Sequence, residues 1–565
     1  MKQNHIDIQN MNFYNDSPFV YRPRKTKTVN IGGLCMGGEY PIRIQSMTNV
    51  STLDTDKCVQ QIIDLYNAGA EYVRLAVPSI KDANNLPNIR KKLTERHCRV
   101  PLIADVHFNA KVAEIAARYV EKIRINPGNY IDKKTEKLYA SYDTTHLFIE
   151  QVSERLHPLL RICKQNGTAI RIGINHGSLS QRIIHLYGNT PLGMAMSAME
   201  FVGICNDFDF HNLVLSMKAS NPKIMLQAVR LLVVLLDEKV WNYPIHIGLT
   251  EAGDGEYGRI KSAVGILPLL ADGIGDTIRV SLTESPVNEI PFAKILADRK
   301  LQSTELSDKL SRKINYNPYI YTKRTTFPID KSSNATIVVS AHTDLLTKDM
   351  EEQKLPNYKT IKYKDEFDVK PSDIVVFEVN QSDELFFFRQ YVNQMIEKDY
   401  HNPIIWKFIS DETDWESYYA IISGDIGSMA VDGFVDGIWL VNRAFSNEKL
   451  YQLSLHILQA CGLRHSQAEY IACPSCGRTN YNIEEVLKKI KEKTIHLSNL
   501  KIGVMGCIVN GPGEMADADY GFVGSGKGRI SLYKGQELIL SNIEENEAID
   551  KLIELIRQNG DWIEK

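Results

Sequence analysis

The chain has 565 residues, 43% of them hydrophobic and 24% charged, which is enough for three or four domains and too apolar for a disordered chain. Lys and Arg number 66 against 69 Asp and Glu, a formal charge of -3, so there is no general basic field for nucleic acid or an anionic membrane. Nine cysteines in a long chain do not suggest a secreted disulfide framework, the polar start MKQNHIDIQN does not read as a signal or transit sequence, and Asp425, Asp432 and Asp436 interrupt the apolar stretch around 418–441; a cytoplasmic protein without a membrane span is expected.

From about 40 to 285, eight short apolar runs recur in order: PIRIQSM, YVRLAVP, PLIADVHF, KIRINPGN, AIRIGIN, LVLSMKAS, PIHIGLTEAG and TIRVSLTES. Segments of helical spacing lie between them, such as TDKCVQQIIDLYNAG, which ends in Gly69 as helix C-termini often do. Eight strand-then-helix units without a dinucleotide glycine fingerprint predict a TIM (β/α)8 barrel over 1–289 rather than an open doubly wound sheet.

Past Pro286 the chain turns rich in Tyr, Lys and Pro, then resumes with ATIVVSAHT, DIVVFEVN, PIIWKFIS and GFVDGIWLV, an inserted α/β domain expected over 290–445. It carries no Cys, His or paired-carboxylate cluster, and a spacer or docking role is expected. The remainder, 446–565, mixes helical stretches with the short strands KIGVMG and RISLYKG and reads as an α+β domain. GFVGSGKG near 526 has Gly528 where a phosphate loop needs Ser or Thr, and a strand follows it; it is read as a turn.

Five barrel strands place an Arg between apolar residues: Arg43, Arg74, Arg124, Arg171 and Arg279. If the flanking residues pack outward, each Arg points inward, together with Gln45, Ala76, Asn126, Gly173 and Ser281 two residues on, and by the same parity Asp105, His107, Asn109, Ser216 and Lys218. Barrel interiors are normally apolar. Buried cations outnumbering the acids Asp105 and Glu251 call for an anionic ligand, and guanidinium forks suit phosphate oxygens. Glu251, just past the seventh strand, lies where a catalytic carboxylate at the barrel mouth belongs.

ACPSCGRT contributes Cys473 and Cys476, and GCIVNGPGE contributes Cys507 and Glu514 in a loop that Gly511, Pro512 and Gly513 keep from being helical. Zinc would need a fourth Cys or His, with Cys461 and His465 the nearest. Three thiolates and an oxygen ligand instead suit a [4Fe-4S] cluster with one exchangeable iron.

The motifs PIRIQSMTN, ADVHFN, KIRINPGN, RIGINHGSL, SMKAS, GLTEAG, TIRVSLT, CPSCGRT and GCIVNGPGE together resemble the 4-hydroxy-3-methylbut-2-enyl diphosphate synthase family, with the inserted domain similar to its long form. The resemblance implies a [4Fe-4S] cluster on Cys473, Cys476, Cys507 and Glu514, and a cyclic diphosphate in the barrel. The substrate-binding residues expected there are Arg43, Arg74, His107, Arg124, Asn126, Arg171, Asn175, Ser216, Lys218, Arg279 and Ser281, with Glu251 and Glu514 at the reacting atoms. It implies reductive ring opening in isoprenoid precursor biosynthesis, with reduced ferredoxin or flavodoxin as electron donor and a homodimer as one quaternary form. The inserted mass would let the cysteine domain of a chain close on its own barrel. A pterin-binding type of barrel transferase and a non-enzymatic iron-sulfur sensor are the competing readings.

Overall fold

The computed structural model describes residues 7, 8, 11, 13–15, 17–107, 109–130, 145–302, 313–329, 337–339, 358–508, 513 and 515–564. The chain forms two compact units, one made of Lys25–Ser262, Gly275–Ala297 and Gln467–Lys565, the other of Met1–Arg24, Ala263–Ile274 and Asp298–Ser466.

In the first unit the eight apolar runs all become parallel strands: β1 (Arg43–Met47), β2 (Tyr72–Ala76), β3 (Leu102–Asp105), β4 (Lys122–Ile125), β5 (Ala169–Asn175), β6 (Leu213–Lys218), β7 (His246–Ile247) and β8 (Thr277–Ile278). Their spatial order is 6-5-4-3-2-1-8-7, and a parallel bridge between Leu215 and Ile245 brings β6 to the start of β7, closing the barrel. The intervening helices form as the spacing predicts. Thr55–Ala68 is capped by the Asp54 side chain and stops at Gly69, whose φ of 109° is the left-handed conformation that ends a helix. A hairpin at 29–36 supplies Val29, Ile31 and Met36, which pack with Tyr72, Ile103, Ala169 and Val214 into an apolar cluster.

The same unit holds the C-terminal sheet: β14 (Glu469–Ala472), β15 (Lys501–Met505), β16 (Tyr520–Gly526), β17 (Arg529–Lys534) and β18 (Glu537–Glu544), with the first three parallel and the last two antiparallel. Tyr470, Ile502, Val504 and Phe522 pack with Leu487 and Leu552 of its two helices. GFVGSGKG forms the β16–β17 hairpin, with Gly528 at φ 66°, so the turn reading holds.

The second unit contains an all-parallel sheet of β9 (Ile337–Val339), β10 (Tyr358–Ile361), β11 (Ile374–Val379), β12 (Ile404–Ile409) and β13 (Gly437–Val441), ordered 9-13-12-11-10. Phe377 on β11 packs at a tilt against Trp406 of β12 and Phe388, with ring centroids 5.1 and 4.8 Å apart. The unit extends past the expected limit at 445, because helix Asn447–Ala460 packs on β13 and β9.

Candidate active site

Arg74 of β2 stands opposite Ile103; one inward position higher, Asp105 of β3 stands opposite Arg124 of β4, and Arg124 opposite Arg171 of β5, so these three share one level. Two residues higher, Gly173 of β5 faces Ser216 of β6, and two higher again Asn175 faces Lys218. Gly173 is required by its neighbour: a Cβ there would lie 2.7 Å from Arg124 Nε, and Arg124 Nη2 donates to the Gly173 carbonyl at 2.9 Å.

Asp105 is the central acid, bonded to Arg74 at 2.6 Å, to Arg124 at 3.2 Å and to His107 at 3.2 Å. Burial alone would raise its carboxyl, but Arg74, His107 and Arg124 hold it well below the usual range. His107 is pushed down to about 3, first by burial and then by Arg124, so its imidazole is neutral near pH 7. Arg279 is oriented by Glu289 at 3.3 Å. Lys218 is held well below its ordinary value by burial and by Arg279, Arg171 and Arg74, with Glu251 opposing. Among the described residues neither Arg171 nor Lys218 forms an ion pair, so the interior carries a surplus of positive charge.

Arg74, Asp105, His107, Arg124, Arg171 and Lys218 line one cleft, and its opposite wall is the cysteine domain. Cys473 follows β14 and Cys507 follows β15, two adjacent parallel strands whose C-terminal ends place both cysteines on the same wall. Cys473, Cys476 and Cys507 all face the cleft, and Gly506 N–H donates to Cys473 Sγ at 3.3 Å. Several contacts join the two walls. Ala472 bridges to Ala252, Thr283 Oγ1 donates to the Ala472 and Cys473 carbonyls at 3.2 Å each, and Lys261 pairs with Glu469 at 2.7 Å. Ser220 Oγ donates to Asp517 at 2.8 Å, and Arg478 donates to the Asp105 carbonyl at 3.3 Å. The barrel thus meets the cysteines of its own chain.

Glu251 is in the cleft wall at φ 50°, a strained conformation for a residue other than glycine, and is near enough to act electrostatically on both Lys218 and Cys473. Ser475, within the CPSC turn, is likewise left-handed at φ 61°. Strain of this kind concentrates where a loop must present its side chains to a site.

Of the residues expected to bind substrate, Arg74, His107, Arg124, Arg171, Asn175, Lys218, Arg279 and Ser281 line the cleft together with Glu251. Arg43 does not. Its strand contributes Met47 instead, four residues or roughly 13 Å further along, and Arg43 is bound to Glu71 at 2.6 Å and to the Cys35 carbonyl at 2.9 Å. Asn126 is also outside the lining: it donates to Ser178 Oγ at 2.8 Å and caps the turn Pro127–Asn129. Ser216 is buried beside Gly173, one inward position below Lys218, and Asn109 caps helix Ala110–Ala116. Glu514, Gly511 and Pro512 lie outside the described residues. Sequence reasoning missed Arg478, which lines the cleft, and two buried basic residues outside the lining, Lys122 and His246. Arg478 stood within the quoted CPSCGRT motif. Lys122 has the parity of Arg124, and His246, between Ile245 and Ile247, repeats the apolar-polar-apolar signature of the arginines.

Residues 26–294 match the model of the GcpE TIM-barrel domain, and residues 469–558 match that of the GcpE protein C-terminal domain. The chain belongs to the GcpE family. A relative from Phocaeicola vulgatus, named 4-hydroxy-3-methylbut-2-en-1-yl diphosphate synthase (flavodoxin), is 42% identical over 97% of this chain and 100% of its own length. Proteins of the same name from Porphyromonas gingivalis and Leptospira interrogans are 42% and 38% identical, over 97% and 98% of this chain and 99% of each relative. The two GcpE matches fall on the barrel and on the cysteine sheet, the two walls of the cleft. No helix among the described residues is long and apolar enough to cross a membrane.

Proposed function

We propose that this GcpE-family chain catalyses the two-electron reductive opening of 2-C-methyl-D-erythritol 2,4-cyclodiphosphate to 4-hydroxy-3-methylbut-2-enyl diphosphate and water, with reduced flavodoxin as donor. The observation that carries the reading is a single cleft with a cation surplus on one wall and three thiols on the other. A pterin-type transferase would leave the thiol wall without a task, and an iron-sulfur sensor would leave the cations without one.

The donor set fits a [4Fe-4S] cluster. Three cysteines from two loops face one space, a backbone N–H already points at a sulfur, and burial pushes the Cys473 thiol up, a cost that bonding as a thiolate to iron removes. Cys473, Cys476 and Cys507 would hold it, with Glu514 as the fourth ligand that the family resemblance implies. Such a cluster supplies electrons singly and a Lewis-acidic iron for a substrate oxygen.

The chain's own residues do the rest. Arg171, Lys218 and Arg279 bind the diphosphate, whose charge completes their environment. Asp105 keeps Arg74 and Arg124 in place through charge-assisted bonds. Closure of the cysteine wall through Thr283, Ser220 and Arg478 shields the cleft from water, which strengthens every charge interaction inside it. Glu251, between Lys218 and the cysteine wall, is placed to move the proton that leaves with water.

Because both walls come from one chain, the reaction is read as complete within a single polypeptide. Anaerobic iron-loaded protein, given the cyclic diphosphate and reduced flavodoxin, should convert the ring phosphorus signals to those of a linear diphosphate in 31P NMR; no conversion would reject the reading. Mixing Glu251→Ala with Cys507→Ser chains should restore no activity, and recovered turnover would mean that sites are shared between chains.

A further inference from the structure

The cleft's guanidinium groups are held in two different ways. Arg74 and Arg124 are bonded to the carboxylate of Asp105, Arg124 also touching the His107 imidazole at 2.5 Å, and Arg279 is bonded to the carboxylate of Glu289. Arg171 is held by an imidazole with no carboxylate bonded to it among the described residues: its Nη1 lies 2.6 Å from Nδ1 of His246, on the fully buried seventh strand. A guanidinium only donates. Nδ1 must therefore accept, which places the single ring proton on Nε2 and makes the ring neutral. His246 Nε2 has no hydrogen-bond partner among the described residues. Burial and the surrounding Lys218, Arg171, Lys122 and Arg74 hold the imidazole well below its ordinary value, in keeping with that state. Asp105 reaches Arg171 only as a longer-range charge.

We infer that His246 is a positioning residue for diphosphate binding: it fixes the Arg171 guanidinium through an uncharged acceptor and so leaves that cation's full charge to the ligand. A carboxylate in its place would orient the same group while neutralising it. The inference rests on the diphosphate reading of the cleft and adds a second determinant of affinity, the charge of the residue behind the arginine.

Three variants of the full chain separate orientation from charge. In His246→Asn the amide oxygen replaces Nδ1 as a neutral acceptor, His246→Asp supplies a charged one and His246→Leu none. Calorimetric titration with the cyclic diphosphate, and separately with inorganic pyrophosphate, should leave His246→Asn within about threefold of wild type. His246→Asp and His246→Leu should bind about tenfold more weakly or worse, the loss of roughly one charge-assisted contact. In turnover the defect should fall on KM more than on kcat, and thermal melts report whether each variant is folded. Nitrogen-15 spectra of histidine-labelled wild type, which need no variant, should show His246 as the neutral tautomer with Nδ1 unprotonated. Wild-type affinity in folded His246→Asp, or a protonated Nδ1, would overturn the inference; a wild-type chain that binds neither anion would instead strike the diphosphate reading itself.

Discussion

In the β9–β13 unit, Arg389 lies between Asp272 and Asp432, at 3.5 and 3.3 Å, and Arg299 is bonded to Asp425. In the barrel, Arg171 and Lys218 are buried as deeply, with no carboxylate bonded to either among the described residues. The consequences run in opposite directions. Burial works against Arg389, yet Tyr316 and Asp432 hold it above its ordinary value, whereas burial and neighbouring cations push Arg171 and Lys218 well below theirs. Both regions are parallel α/β sheets with apolar strands, so the architecture does not separate them. What does is whether a buried charge is already answered by the protein or waits for a ligand.

The largest effect should come from the wall opposite the cations. Cys473→Ser, Cys476→Ser and Cys507→Ser should each lose iron and all measurable turnover. Cys163→Ser and Cys205→Ser, buried among barrel helices, should keep both and lose about 1 to 3 kcal/mol of stability. Iron content by chelator assay decides, and full iron in Cys507→Ser would remove the cluster from this wall.

Next in size is Arg389→Met, which leaves Asp432 and Asp272 buried against an apolar side chain. It should cost about 3 to 5 kcal/mol of stability by denaturant unfolding and leave diphosphate affinity unchanged. The matched change in the barrel should invert the outcome. Arg171→Met or Lys218→Met relieves repulsion in the empty cleft, so the melting temperature should hold or rise, while binding weakens by about 1.5 to 3 kcal/mol. Equal behaviour of the two regions would dissolve the contrast.

The smallest effect concerns protons. Lys218 is depressed in the empty cleft by burial and by Arg279, Arg171 and Arg74. A bound diphosphate opposes those charges and raises the amine, so binding takes up protons, and affinity falls as pH rises between the free and the bound values. Titrations in buffers of different ionisation enthalpy should show net uptake; release would contradict the sign.

Much of this was legible from residues alone, because strand alternation dictates which face a side chain takes. That rule found Arg74, Arg124, Arg171, Lys218 and Arg279, and the count of eight strand-then-helix runs predicted the barrel. Parity does not give depth. Arg43 obeys the parity but starts its strand, level with Thr277, and so meets Glu71 below the cleft. Asn126 and Asn109 ended in local caps because short polar side chains beside a strand end satisfy the backbone first. Lys122 was overlooked because it opens its strand and is not flanked by apolar residues as the arginines are, and His246 because a neutral imidazole does not read as a phosphate ligand. The joining of cysteine wall and barrel depends on contacts such as Ser220 to Asp517, 297 residues apart, which no local pattern encodes.

The central claim is that the cation surplus and the cysteine wall serve one substrate at one time. Electron paramagnetic resonance of the reduced, anaerobically purified protein tests it most directly, recorded with and without the cyclic diphosphate in wild type and in Lys218→Met. The account predicts a cluster signal that changes on addition of substrate in wild type, and that needs about ten times more substrate or beyond to change in Lys218→Met. A signal indifferent to the diphosphate, or one that responds equally in both proteins, would contradict it.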